Sequence, residues 1–340
     1  MRQRISLSLL MMDMVTAAPA ATYHVARNER GASDANDGLA PSATCNGTGP
    51  WLTIQKAANT AKPGDTVLVG KGTYAEAVQL KQSGVAFRAA SASDRPQIDG
   101  GRTRKHGIYM ADGAGLEDVV IEGFEIAEQT DAGIYAGVGQ ARRFVIRNNH
   151  VHHIRSQGIW LGGTGHLVEK NVIYMIGNDQ EARCVLLSAN YRTEAADCTV
   201  RGNQIYLCKK EGIRDYGGHG NLIEDNIIYG CTYGISLNAT RGGTRVRNNY
   251  ISKVIHGYNP KHITGEHGWN VFWHNTIYDS AYWAVSIGSP PTGDFVDVRN
   301  NVFARSGEAH VMQALDATGP NLRIDGNLYY TAAGRPGWSY

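Results

Sequence analysis

Cationic, acidic and aromatic residues recur in this sequence at the spacing of short strands, and the coil CKKEGIRDYGGHG around Arg214 is the least regular of them. Segments AGIYA, QGIWL, CVLLS, EGIRDY, YGISLN, KHIT and WAVSIG share an apolar centre. Aligned on it, Tyr135, Trp160, Leu186, Arg214, Ser236, Thr264 and Ser286 form one outward column. Arg183, Glu211, Tyr233, Lys261 and Trp283 gather near the strand starts. A row of flat aromatic rings beside charged groups suits an extended sugar chain in a groove, with Tyr135, Trp160, Arg183, Tyr216, Tyr233 and Trp283 as its binding residues.

Two chemistries can be built from this set. Removing the C5 proton of a uronic acid sugar requires a base and positive charge to neutralise the carboxylate. Arg183, Lys209, Lys210, Arg214 and Lys261 supply the charge, and the catalytic candidates are Lys261, Arg214, Asp215, Glu211 and His262. A glycosidase needs two carboxylates roughly 5 to 9.5 Å apart. Glu211 and Asp215 would lie roughly 13 Å apart on an extended strand, so a hydrolase would pair one of them with Glu266. Asp215 stands where other coils carry Ala136, Leu161, Leu187, Leu237 and Ile287, and a carboxylate there needs a partner, expected to be Arg214 or a Lys. The loop HGYNPKHITGEHGW adds His256, Lys261, His262, Glu266 and His267 at a second break in regularity.

What must position these groups is a repeat. The pattern apolar-x-Asn-x-apolar recurs at Asn149, Asn171, Asn203, Asn226, Asn249, Asn275, Asn301 and Asn327, 22 to 32 residues apart. That period marks stacked coils of short strands. Each alignment column then becomes a ladder with a rung of about 4.8 Å, and the Asn column is expected to stack its amides and bond the turn backbone. The residue before each Asn is mostly Gly, Asn or Asp, which marks a left-handed bend. Two residues before the Asn, Arg147, Glu169, Arg201, Glu224, Arg247, Trp273, Arg299 and Asp325, preceded by Glu122 in the coil before, alternate in sign along most of the column, which predicts ion pairs between neighbouring coils. The expected fold is all-β: a right-handed parallel β-helix, one domain over residues 22–340, with coils over about 85–330 and a cap over about 22–84. In the cap, Trp51, Ile54, Ala57, Ala58 and Ala61 follow helical spacing until Pro63 and Gly64.

The order NDGL, PW, TIQKAA, KPGDTVLV, GTY, followed by coils of the NN type, resembles secreted bacterial β-helix proteins of the pectate-lyase-like superfamily. That resemblance implies a carbohydrate-active enzyme, and the superfamily includes lyases, glycoside hydrolases, epimerases and noncatalytic members. Gly218-His219-Gly220 is similar to the GHG of polygalacturonases, without the Asp elements that precede it there. Lys261 with Asn275, Thr276 and Ser280 resembles the Lys region of chondroitinase B and related alginate lyases, with Ser286, Ile287 and Gly288 where those enzymes carry Arg-His-Gly.

Residues 1–21, with Arg2 and Arg4, an apolar stretch and small residues at Ala18 to Ala21, read as a signal peptide, so a secreted or periplasmic protein is expected. No later segment is long and apolar enough for a membrane span. A net charge of +2 argues against a nucleic-acid binder. The partner expected is a polysaccharide, the chain acting as a monomer. Five cysteines without a C-x-x-C pair do not suggest zinc. His150, His152 and His153 are a weak metal candidate, because strand alternation sends His152 and His153 to opposite faces. Asp34, Asn36 and Asp37 could hold calcium or cap their loop. A noncatalytic binding β-helix would show an apolar outward stripe, which the columns read here do not supply.

Overall fold

A computed structural model describes residues 19–138, 140–177, 181–188, 194–287, 295–313, 321–330 and 338–339. The signal segment lies outside the described residues. Three parallel sheets of 12, 11 and 11 strands run the length of the molecule, and the chain visits them in turn to form a right-handed parallel β-helix. A coil reads Val145–Arg147 in the first sheet, His150–Ile154 in the second and Gln157–Leu161 in the third. Ile121, Ile146, Val168, Val200, Ile223 and Val246 stack as one interior column. The inner sides of these strands supply a single core that continues from coil to coil, only partly covered at Leu322, Ile324 and Tyr329 near the C-terminal end.

The bend from first to second sheet is the Asn ladder. Asn226 Nδ2 donates to Asn249 Oδ1 at 2.9 Å and to the Val200 carbonyl at 2.9 Å, and its own Oδ1 accepts from the Asn203 backbone and amide. The same pattern links all eight residues from Asn149 to Asn327. Each preceding residue, from Asn148 (φ 55°) to Gly326 (φ 62°), is left-handed, as the turn composition requires. Alongside runs the charge column, where Glu122 meets both Arg88 and Arg147, Arg201 meets Glu169 at 2.8 Å and Arg247 meets Glu224 at 2.7 Å. One coil before its end Arg299 pairs with Asp297 on its own strand and lies over the Trp273 ring.

The second bend differs from expectation. His153 (φ 54°), Met175 (φ 52°) and Leu207 (φ 53°) are also left-handed, so strand alternation stops there. His152 and His153 therefore do not face opposite ways: their Nδ1 atoms lie 2.7 Å apart. Outside the second sheet, His152, Tyr174, Tyr206 and Tyr229 stack ring on ring at 4.8 to 4.9 Å. Ile227, Tyr250 and Leu328 are exposed on this sheet, an apolar element absent from the columns first aligned.

At the N-terminal end the helix Ile54–Thr60 starts at Thr53, whose hydroxyl accepts from Lys56 N. It buries Ile54, Ala57 and Ala58 against the open coil end, with Trp51 just before it. Thr22–Val25 and Thr66–Val69 already pair in the first sheet, so the solenoid begins inside the segment first assigned to the cap. Asp34 caps the helix entry by accepting from Leu52 N, Thr53 N and Thr53 Oγ1, and Asp37 accepts from Leu39 N and Gly49 N. Those carboxylates serve the loop. All five cysteines are free; Cys45 is exposed and the other four are buried. No helix among the described residues is long and apolar enough to cross a membrane.

Candidate active site

The third sheet carries the candidate groups, and the long connections that leave its strands toward the first sheet flank it. Residues at the start of these strands face outward because a kink follows. Gly133, Gly158, Gly212, Gly234 and Gly257 stack so closely that a Cβ at Gly212 would sit 2.7 Å from the Gly234 carbonyl oxygen. The kink turns the starting residue and the residue three later to the same outer side. Glu211 and Arg214 thus meet at 2.8 Å, closer than simple alternation allows.

The cross-coil register settles both outward columns. Tyr135, Trp160, Leu186, Arg214 and Ser236 are in line as expected, but Asn259, not Thr264, is the next member, followed two coils on from Ser236 by Ser286. The starting column is Gln157, Arg183, Glu211, Tyr233, His256 and Trp283. Lys261 is therefore not at a strand start. It closes the strand His256–Lys261 opposite Asn238, in line with Tyr216. His262 follows it, exposed and left-handed (φ 51°).

At the centre Glu211, 3% exposed, accepts from Arg183 Nε at 2.8 Å and from Arg214 Nη1 at 2.8 Å. Arg183 also pairs with Glu181, which holds Lys210 at 2.7 Å. Three cations against two carboxylates leave one positive charge in excess, and Lys261 adds another nearby. Arg214 lies over the Tyr216 ring at 5.0 Å and Lys261 over the Tyr233 ring at 5.9 Å, contacts that hold cations over π faces. Lys209, counted with this patch from sequence, instead faces the bend between the second and third sheets.

His256 is the group that sequence alignment left out of the row. Its ring stacks between Tyr233 and Trp283, each centroid 4.8 Å away, and burial followed by the charge of Lys261 pushes its pKa below the ordinary value. The imidazole is neutral near pH 7 and can accept a proton. The signal was present: His256-Gly257 repeats the residue-Gly step of Glu211-Gly212 and Tyr233-Gly234.

Asp215 belongs elsewhere. It is fully buried on the inner side of its strand, between Leu187 and Leu237 in register. Its partners are Asn221 Nδ2 at 2.9 Å and Thr244 Oγ1 at 3.1 Å, neither Arg214 nor a Lys. Burial raises its pKa to about 6 against those hydrogen bonds and the Gly218 N–H, although no well-formed bond reaches Oδ1. This carboxylate faces the core rather than the groove. Glu266 lies 3.6 Å from Arg241 in a loop cluster with Glu194, His219 and His267. Asn275, grouped with Lys261 by resemblance, is part of the Asn ladder on another side of the coil. Among the described residues, no three His, Cys, Asp or Glu side chains gather as metal ligands.

Residues 83–251 match the family model described as right handed beta helix region. No curated protein sequence matches the chain. Among solved structures, the chain is similar to the pectate lyase Pel9A at 16% identity and a TM-score of 0.65, over 89% of this chain and 79% of that one. An alginate lyase from Paenibacillus sp. str. FPU-7 shares 16% identity at a TM-score of 0.60, over 84% of this chain and 96% of that one. XylC, solved with xylose, shares 13% at 0.63, over 93% and 84%. At these identities the likeness is one of fold.

Proposed function

We propose that this right-handed parallel β-helix is an exported carbohydrate-active enzyme that cleaves an acidic polysaccharide by β-elimination, with the glycan lying along the outer face of the third sheet. The observation that carries the reading is the adjacency, on consecutive coils, of Arg214, Tyr233, His256 and Lys261. Arg214 and Lys261 would neutralise the uronate carboxylate, which lowers the barrier to removing the C5 proton. Neutral His256, with Lys261 as the other candidate, takes that proton. The C5–H electron pair forms the C4–C5 double bond, and the C4–O bond breaks with its pair on the departing oxygen, which gains a proton from an acid such as the Tyr233 hydroxyl. Arg183, Tyr216 and Trp283 line the same face.

A hydrolase draws less support. Both oxygens of Glu211 accept from guanidiniums, Asp215 faces the core and Glu266 pairs with Arg241. Carboxylates so occupied are poorly placed to act as an acid and base pair. The full chain should be incubated with pectin, alginate, glycosaminoglycans, xylan and β-glucan. Products with ultraviolet-absorbing unsaturated ends on an acidic glycan are the expected result; reducing ends without that absorbance would replace the lyase with a hydrolase. On the substrate found, Arg214→Ala and Lys261→Ala should each lower kcat/KM by about 10²- to 10⁴-fold. His256→Gln should also remove the acidic limb of the pH profile, which for a base of lowered pKa lies below pH 6.5.

A further inference from the structure

Four coils before Arg214, toward the cap, the same outer face opens into a cavity of about 360 Å³ lined by Ala77, His106, Tyr109, Met110, Asp112 and Tyr135. Its walls are built. The His106 ring stacks on Tyr135 at 4.5 Å and 7°, and Trp160 packs edge-on against Tyr135 at 5.1 Å. The Tyr135 hydroxyl donates to Asp112 Oδ1 at 2.6 Å, and Trp160 Nε1 donates to the Ser188 carbonyl at 2.7 Å. His106 is only 8% exposed, and its Nδ1 has no protein partner. Burial lowers its pKa, so the ring is neutral near pH 7.

The chemistry of this end is opposite to that of the Arg214 end. Between them the outward column carries Tyr135, Trp160 and Leu186 without a charge. At the cavity the cation Lys105 is paired with Asp131 at 3.6 Å, and Asp112 is an acceptor. Aromatic rings next to a carboxylate are suited to the apolar faces and hydroxyls of an uncharged sugar, while Asp112 would repel a uronate. The volume falls in the range of small-ligand sites.

We infer that this cavity is a distal subsite for an uncharged sugar unit of the glycan whose acidic unit sits at Arg214 and Lys261, so that the substrate class is a mixed acidic and neutral polysaccharide. The inference rests on the proposed function for the acidic unit, but the cavity can be tested separately. Binding of neutral oligosaccharides (xylo-, manno-, gluco- and galacto-) and of uronate oligosaccharides is measured by calorimetry on the full chain, on Tyr109→Ala, on Asp112→Asn and on Lys261→Ala. At least one neutral oligosaccharide should bind, weaken tenfold or more in Tyr109→Ala and fivefold or more in Asp112→Asn, and stay within twofold in Lys261→Ala. Uronate binding should weaken in Lys261→Ala. Absence of neutral binding, or neutral binding untouched by both cavity variants, overturns the subsite. Uronate binding that ignores Lys261→Ala overturns the acidic centre alone. Asp112 is exposed, so its variant keeps the test valid if Tyr109→Ala does not fold.

Discussion

Two polar columns run through the interior, one at each end of the first-sheet strands, and they are built on different plans. At the bend into the second sheet eight asparagines occupy consecutive coils from Asn149 to Asn327, after Phe124 in the coil before, each bonding the next. At the entry from the third sheet the corresponding positions are His166, Cys198, Asn221, Thr244 and Asn270. Here His166 Nδ1 accepts from Phe144 N, Asn221 from Cys198 N and Asn270 from Thr244 N. Both columns satisfy buried backbone donors. A tight bend of constant length admits one residue type, whereas loops of varying length need a different solution in each coil. The irregular column lies on the side that flanks the candidate active site.

The contrast can be broken by substitution. Asn226→Ala removes four hydrogen bonds and strands buried groups on both neighbouring coils, and should cost on the order of 4 kcal/mol in chemical denaturation. A loss below about 1 kcal/mol would deny the regular column its structural role. In the irregular column the effects become pH-dependent. Burial lowers the His166 pKa from 6.5 to about 4, so the unfolded chain binds the proton more tightly. Its contribution is complete above pH 6.5 and is lost as pH falls toward 4, by about 3 kcal/mol at most. His166→Asn should flatten that part of the unfolding profile. Asp215 has the opposite sign: its raised pKa, about 6, means that its stabilising contribution is present below 3.8 and disappears as pH rises through 6. Asp215→Asn should therefore raise stability at pH 8 by about 1 to 3 kcal/mol and leave turnover within a few-fold. A collapse of turnover would return Asp215 to the catalytic set.

The same difference explains what could be read in the sequence. The Asn ladder, its left-handed bends and the pairs of Glu122, Glu169 and Glu224 were legible because identical chemistry recurs at a fixed period. The groove columns were legible where a Gly anchored the strand, which placed Tyr135, Trp160, Glu211, Arg214 and Tyr233 correctly in register, and Arg183 fell into line through the apolar centre of its own strand. They failed at KHIT, where the anchoring Gly257 lies earlier, and with it Lys261 moved to the strand end and His256 into the row. Asp215 was visible as the exception in a column of Ala136, Leu161, Leu187, Leu237 and Ile287, yet it stayed among the catalytic candidates, because its true partners come from the loops after the third sheet, which have no repeat to align. His106 and Tyr109 were missed because the aligned segments began at AGIYA, one coil after the strand His106–Met110 that carries them.

The solenoid also fixes a length scale. Successive strands of the third sheet advance by about 4.8 Å, close to the rise of one sugar unit in an extended glycan. Four such steps separate the strand His106–Met110 from Glu211–Tyr216, roughly 19 Å along the axis. The molecule is in this sense a ruler graduated in coils. On the proposed binding mode, gaining or losing one whole coil between the two strands would change, by a single unit, which sugar lies in the cavity when another lies at Arg214, leaving the chemistry at both ends intact.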